Sequence, residues 1–214
     1  MKTKKNDFIQ IDYIARTKDD NKIFDLTNEK IAKENNLINE NQKNYGPVTI
    51  CLGFNDVIPG LDKQLIDKDL GKYKIEVKTE EAFGKRTYNL IKLVPTEIFT
   101  KQDIKPFPGL HVNLDELYGT IKSVSGGRTI VDFNHPLAGK DLVYDVEILN
   151  IITNLEDKVK AVLNLIDKNI NFAINNDKLT LKLKIHEKQK ESLKEEIKKR
   201  IPEIKEVEFE KTTT

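Results

Sequence analysis

One cysteine, one methionine, three histidines and no tryptophan occur in 214 residues, and each scarcity removes a class of chemistry. A lone cysteine, Cys51, excludes an intramolecular disulfide and points to a reducing compartment. It stands mid-strand in an apolar run, where a small buried hydrophobe is expected and a reactive thiol is not. His111, His135 and His186 are scattered, so no metal-ligand spacing exists, and His135 in its Asn-His-Pro turn reads as a hydrogen-bonded loop residue. There is no Cys–His pair and no phosphate-cradling loop; no metal and no cofactor are expected. Charge of one sign is also missing. Lys+Arg 36 against Asp+Glu 35 leaves +1, and only Arg16, Arg86, Arg128 and Arg200 offer bidentate recognition, which argues against nucleic acid as a partner. No 18-residue apolar run and no apolar leader segment in Met1–Gln10 are present, so no membrane partner is expected and a cytoplasmic protein is.

What is present is length for a sizeable core, with 33% charged and 38% hydrophobic residues as in a soluble globular protein. The chain is organised around Val48–Gly84. An apolar strand, Val48–Leu52, turns at Gly53; Val57-Ile58-Pro59-Gly60-Leu61 opens a short helical stretch with Leu61 and Leu65 at i,i+4. Gly71 ends it, and Ile75 and Val77 alternate with charges as a strand. Aiming Val, Ile and Leu at one spot near an aromatic builds an apolar cup.

Around this stretch, Phe8–Arg16 and Lys22–Leu26 read as strands, and 28–45 as a polar surface excursion with a helical turn or two. Leu90–Pro95 is an apolar strand, Ile98-Phe99 a helical turn, and Lys105–Leu110 a turn-rich segment. Gly119–Val124 and Arg128–Phe133 form a hairpin across Ser125-Gly126-Gly127. In Val143–Ile152, Val143, Asp145 and Glu147 alternate against Tyr144, Val146 and Ile148. Asn154 caps a helix with Leu155, Val159, Val162, Leu163 and Ile166 on one face. A hairpin (Ile170–Ile185), a second helix stopped by Pro202 and a strand at Ile204–Phe209 complete an α+β unit. The Glu/Lys run 187–200 reads as the solvated face of that helix.

Leu52-Gly53, Val57–Leu61, Glu81-Ala82-Phe83-Gly84, Asn89-Leu90-Ile91, Val94-Pro95, Val131–Gly139 and Leu142–Glu147 together resemble the FKBP-type peptidyl-prolyl isomerases. More narrowly they resemble the SlyD-like branch and its long archaeal relatives. The resemblance covers residues 6–152, and 153–214 is similar in layout to the C-terminal extension of the long archaeal members. It implies an α+β fold: an FKBP-like antiparallel half-barrel around a short helix (1–85 plus 135–152), an inserted small β domain that binds unfolded chains (86–134), and a C-terminal α/β sandwich domain (153–214).

The resemblance also implies a site. Tyr13, Phe24, Asp25, Val57, Ile58, Leu61, Phe83 and Tyr144 would be catalytic, with Val48 and Leu137 beside them. Ile58 would offer its backbone N–H to the substrate carbonyl. Asp25 would face the twisting amide; Tyr13 either orients it or packs as core. Phe107, Leu110 and Phe133 are either the insert's core or its peptide-binding surface. Two departures stand out: Phe83 replaces a common tyrosine, and Tyr144 replaces the usual phenylalanine, bringing a hydroxyl that needs a partner. The His-rich tail of some SlyD proteins has no counterpart in Lys211–Thr214, so metal binding of that kind is not expected. The implied function is peptidyl-prolyl cis-trans isomerisation with chaperone activity on unfolded or proline-containing clients. The alternative is a weakly catalytic or non-catalytic holdase. The C-terminal unit could join two copies in a homodimer.

Overall fold

The computed structural model describes residues 1–38, 45–183 and 185–210; residues 39–44 of the polar excursion and the terminal Lys211–Thr214 lie outside them. The first strands are β1 (Phe8–Thr17) and β2 (Ile23–Leu26), followed by helix α1 (Glu29–Glu34) and β3 (Val48–Cys51). Helix α2 (Pro59–Gln64) and β4 (Gly71–Val77) come next. An excursion then carries β5 (Ile91–Pro95), α3 (Glu97–Thr100), β6 (His111–Leu114), β7 (Leu117–Ser125) and β8 (Arg128–Asp132) before β9 (Leu142–Ile152) returns. The chain ends with α4 (Leu155–Asn164), β10 (Asn171–Asn175), β11 (Lys178–Lys182), α5 (Glu187–Arg200) and β12 (Glu206–Phe209).

Strands β2, β1, β9 and β4 lie side by side, and β3 shares an edge of β1 with β2. All of these pairings are antiparallel. β3 takes the first half of β1 (Ile11 opposite Val48) and β2 the second (Ile14 opposite Leu26), so the long strand bridges two short ones. Alternation makes this sheet two-faced. Leu142, Tyr144, Val146 and Ile148 of β9 are buried on one side, and Val143, Asp145 and Glu147 are less buried on the other. The buried face joins Ile9, Ile11, Leu61, Leu65 and Val77 in one core that holds α2 against the sheet. Close approach there needs glycine: a Cβ on Gly60 would lie 2.4 Å from Val77 Cγ1 and 2.9 Å from Glu81 Cβ.

The excursion is a separate four-stranded antiparallel sheet in the order β5-β8-β7-β6, with its own core of Phe99, Val112, Ile121 and Val131. β6 follows the turn-rich Lys105–Leu110 segment, in a stretch to which the sequence pattern assigns no element. Its short polar alternation, His-Val-Asn-Leu, buries only Val112 and carries little strand signal. A latch closes the base of the unit. Arg86 pairs with the buried Asp132, Thr87 N–H donates to Asn134 Oδ1 at 2.8 Å, and Asn134 Nδ2 returns a bond to the Thr87 carbonyl at 3.1 Å.

In the C-terminal unit β10 and β11 pair antiparallel, and β11 and β12 are parallel across the α5 crossover. Asn154 caps α4 by accepting the Asp157 N–H at 3.1 Å. Its core does not stop at residue 153. Phe8, Cys51 and Ile152 lie abreast on three strands and pack with Val159, Val162, Leu193, Ile197 and Ile201 in one cluster. Cys51 is fully buried within it, and burial pushes its thiol up to about 12. The Glu/Lys run of α5 is solvated over most of its length, but Arg200, its last residue, is buried.

Candidate active site

Six segments meet at the mouth of the first core. Tyr13 lies on β1, Phe24 and Asp25 on β2, and Tyr144 on β9; Val57, Ile58 and Pro59 enter α2, Phe83 follows β4, and Leu137 precedes β9. They line an open cleft of about 540 Å³, together with Asn55, Asp56 and His135. Three aromatics form its floor. The Tyr13 and Tyr144 rings sit 5.8 Å apart and tilted, and Phe24 meets Tyr144 edge-on at 6.2 Å, a geometry that ring quadrupoles favour. Phe83 stacks flat on His135, 4.2 Å between centroids. His135 Nδ1 accepts the Leu137 N–H at 3.1 Å, which fixes the ring.

Local sequence explains the wall. Pro59 at the first position of α2 has no N–H to leave unsatisfied and sets the helical φ. The Ile58 carbonyl accepts the Leu61 and Asp62 N–H groups at 3.0 and 3.1 Å. The preceding loop is tied from below, where the buried Asp62 accepts the Gly53 N–H at 3.0 Å and the Asn55 N–H at 3.3 Å. Among the described residues nothing accepts the Ile58 N–H, leaving one donor at the rim.

Polar chemistry in the cleft is sparse. The Tyr13 hydroxyl donates to Asp25 Oδ2 at 2.7 Å. Burial, then the neighbouring Asp25, raises the pKa of Tyr13 far above the ordinary tyrosine value. Tyr144 is raised in the same way, so both hydroxyls stay protonated at neutral pH. Tyr144 lines the cleft, and its hydroxyl makes no hydrogen bond to another described residue. Asp25, on an exposed position of β2, is left with one carboxylate oxygen free to face a ligand. A second concavity, about 440 Å³, borders α1 and is lined by Asp12, Lys72, Lys74, Asp145 and Glu147 among others. Tyr13, Ile14, Ile31, Tyr73 and Val146 also line it, so its wall is mixed, with the charges of β4 and β9 beside apolar side chains.

The cleft therefore brings together Tyr13, Phe24, Asp25, Val57, Ile58, Phe83, Leu137 and Tyr144. Two expected residues stand apart. Leu61 is fully buried beneath the floor, because its α2 face is the core face. Val48 starts β3 opposite Ile11, away from the lining. In the insert, Phe107 is 54% exposed, while Leu110 and Phe133 are half-buried against the insert core. Exposed apolar side chains that pattern reading missed are Leu93 and Ile130, directly opposite each other on β5 and β8, with Tyr88, Leu117 and Tyr118. Leu90–Pro95 is almost continuously apolar, so its sequence did not say which side would face out. His135 and Asp56 were missed too, since only the fold brings them to the cleft.

A cleft with an aromatic floor, one carboxylate outside any ion pair among the described residues (Asp25, since Asp56 is bound by Arg200), one rim N–H and protonated hydroxyls has the makings of a site that grips an amide without breaking bonds. Comparison with known proteins gives that class its family. The family model described as "FKBP26, IF domain" matches residues 92–137. The short-type peptidyl-prolyl cis-trans isomerase of Methanocaldococcus jannaschii is 30% identical over 149 residues, covering 69% of this chain and 93% of that protein. The SlyD FKBP-type isomerase of Haemophilus influenzae is 30% identical over 154 residues, 70% of this chain and 72% of that one. A probable FKBP-type 16 kDa isomerase of Pseudomonas fluorescens is 32% identical over 111 residues, 49% of this chain and 73% of that one. The chain belongs to the FKBP-type peptidyl-prolyl cis-trans isomerase family.

Proposed function

We propose that this chain isomerises X–Pro peptide bonds in the Tyr13–Tyr144 cleft, and that its inserted sheet captures unfolded polypeptide for that cleft. Amide resonance sets a rotation barrier of about 18–20 kcal/mol, so X–Pro isomers exchange in tens to hundreds of seconds. The planar amide is the more dipolar form and water stabilises it; the twisted form localises the nitrogen lone pair. A cleft that removes water and fits the twisted form lowers the barrier without moving a proton. Shortening roughly 100 s to roughly 10 ms takes about 10⁴-fold, or ~5.5 kcal/mol.

The observation that carries this reading is the aromatic floor with Asp25 held by Tyr13 at its edge. In it Tyr144, Phe24 and Val57 receive the proline ring, the Ile58 N–H holds the neighbouring carbonyl, and Asp25 faces the amide as it twists. Phe83 gives an apolar stacking wall without a hydroxyl; the Tyr144 hydroxyl remains for the substrate.

For client capture, the support is the exposed pair Leu93 and Ile130, adjacent on β5 and β8, with Tyr88, Leu117 and Tyr118 exposed elsewhere on the insert; exposed apolar side chains of this kind mark interaction sites when they cluster. The partners in this reading are unfolded or proline-containing polypeptides, with neither nucleic acid nor membrane among them, and the compartment is the cytoplasm. No helix among the described residues is long and apolar enough to cross a membrane. The exposed apolar side chains of Leu165 and Ile166 support self-association through 153–214, whereas the outer sheet face carries Lys178 paired with Glu206 and Glu208. Refolding of a proline-limited client tests the function: the rate should rise with the protein well below client concentration. Acceleration only at equimolar amounts, or a slowed refolding, would leave a holdase.

A further inference from the structure

The cleft's Val57–Ile58 wall hangs from a loop that is gripped on two sides. Below it, Asp62 of α2 holds Gly53 and Asn55. Behind it stands the C-terminal unit. Arg200, the last residue of α5, donates from Nη1 to Asp56 Oδ1 at 2.6 Å and Oδ2 at 2.8 Å, and from Nε to Glu196 at 2.7 Å. Its guanidinium lies over the Phe54 ring, 4.7 Å from the centroid. Asp56 in turn accepts the Cys51 N–H at 2.8 Å. The side chains of both ions are almost sealed, 7% and 5% exposed. Burial works against the Arg200 charge, but the bonds to Asp56 and Glu196 outweigh it and hold the guanidinium above its ordinary pKa.

A sealed ion pair is costly to desolvate and often adds little net stability over apolar packing. What it does supply is geometry, through a planar guanidinium that forks between two carboxylates, Nη1 on Asp56 and Nε on Glu196. Asp56 lines the cleft and precedes Val57 and Ile58. We infer that Arg200 is a positioning residue for isomerisation: residues 153–214 set the loop that presents Val57, Ile58 and the Ile58 N–H, making this unit a working part of the active site. The inference rests on the isomerase reading above. It differs from a purely cohesive role, in which Arg200 would only glue two units together.

The test uses the full chain and a prolyl tetrapeptide, with kcat and KM read separately in wild type, Arg200→Lys, Arg200→Gln and the double variant Asp56→Asn/Arg200→Gln. Removing only Arg200 strands a buried carboxylate; the double variant removes both charges and separates stability from position. Folded state is checked by circular dichroism and cooperative unfolding above the assay temperature. A misplaced wall acts on the twisted state, so kcat should fall roughly 10- to 100-fold in both neutral variants with little change in KM. Arg200→Lys, which keeps the charge but loses the fork, should recover part of that loss, and it carries the test should the neutral variants not fold. Folded variants with wild-type kcat, or a double variant restored to full activity, would overturn the inference. A wild-type protein without tetrapeptide activity removes the isomerase reading itself, a different and separately visible failure.

Discussion

Asp25 and Tyr13 share one hydrogen bond but have different tasks. In the proposed reaction Asp25 meets the substrate, and Tyr13 holds Asp25 in place from a desolvated position. Tyr13→Phe keeps the aromatic floor and deletes one bond to a charged group, a loss of roughly 1.5–3 kcal/mol at most, so kcat/KM should fall about 10-fold or more while thermal unfolding barely moves. Asp25→Ala should fall at least as far. Unchanged tetrapeptide rates in both would remove these assignments. At the opposite wall, Phe83→Tyr adds a donor to a ring already stacked on His135. A several-fold gain in kcat/KM is expected; a loss would mean that the flat stack matters more than the hydroxyl. Cys51 illustrates what one residue's context makes legible. Its apolar neighbours in the sequence announce burial, and it is fully buried. Arg200 is the opposite case. It sits in a charge-rich helix that reads as solvated, and its buried partner lies 144 residues away, so nothing local could reveal the pair.

Alternating elements were the readable ones. β9 alternates from Leu142 to Leu149, β1 buries Ile9, Ile11, Ala15 and Thr17, and α4 shows its apolar face and Asn cap, because in each the burial pattern and the local pattern agree. β6 and the outward side of β5 were not readable, since four residues or a uniformly apolar run specify no face. The segment leading from β4 to Phe83 is anchored by one carboxylate. Asp141 accepts from Lys78 Nζ at 2.8 Å and from the Thr79 N–H and hydroxyl at 2.9 and 3.0 Å. These bonds, Lys78 first, lower its pKa from 3.8 to about 2. A carboxylate depressed in the folded state stabilises it above the unfolded pKa, and that contribution disappears as pH falls through the folded one. Asp141→Asn should therefore lower Tm at pH 7, with the gap to wild type narrowing between about pH 4 and pH 2. A gap independent of pH would mean that the charge is irrelevant there.

At the scale of the molecule, three sheets relate to one cleft in different ways. The first sheet builds it, the inserted sheet stands on a polar latch beside it, and the C-terminal unit shares a core with the strands behind it. The order of units along the chain was legible from motifs and punctuation; the fusion of the last unit to the first was not, because Phe8 and Cys51 look like ordinary core until both are seen facing α4 and α5. Replacing residues 88–131 by a short turn leaves the Arg86–Asp132 and Thr87–Asn134 latch in place. That variant should lose far more activity on refolding proteins than on a tetrapeptide, and equal losses would argue against client capture by the insert. In the proposed reaction the imide bond rotates through desolvation and fit, with no proton transferred. The most direct measurement of this is the cis–trans exchange rate of a prolyl tetrapeptide with catalytic amounts of the protein, in H₂O and in D₂O. Strong acceleration with a solvent isotope ratio of about 1 is expected; no acceleration, or a ratio well above 1, would mean that desolvation and fit do not drive the rotation.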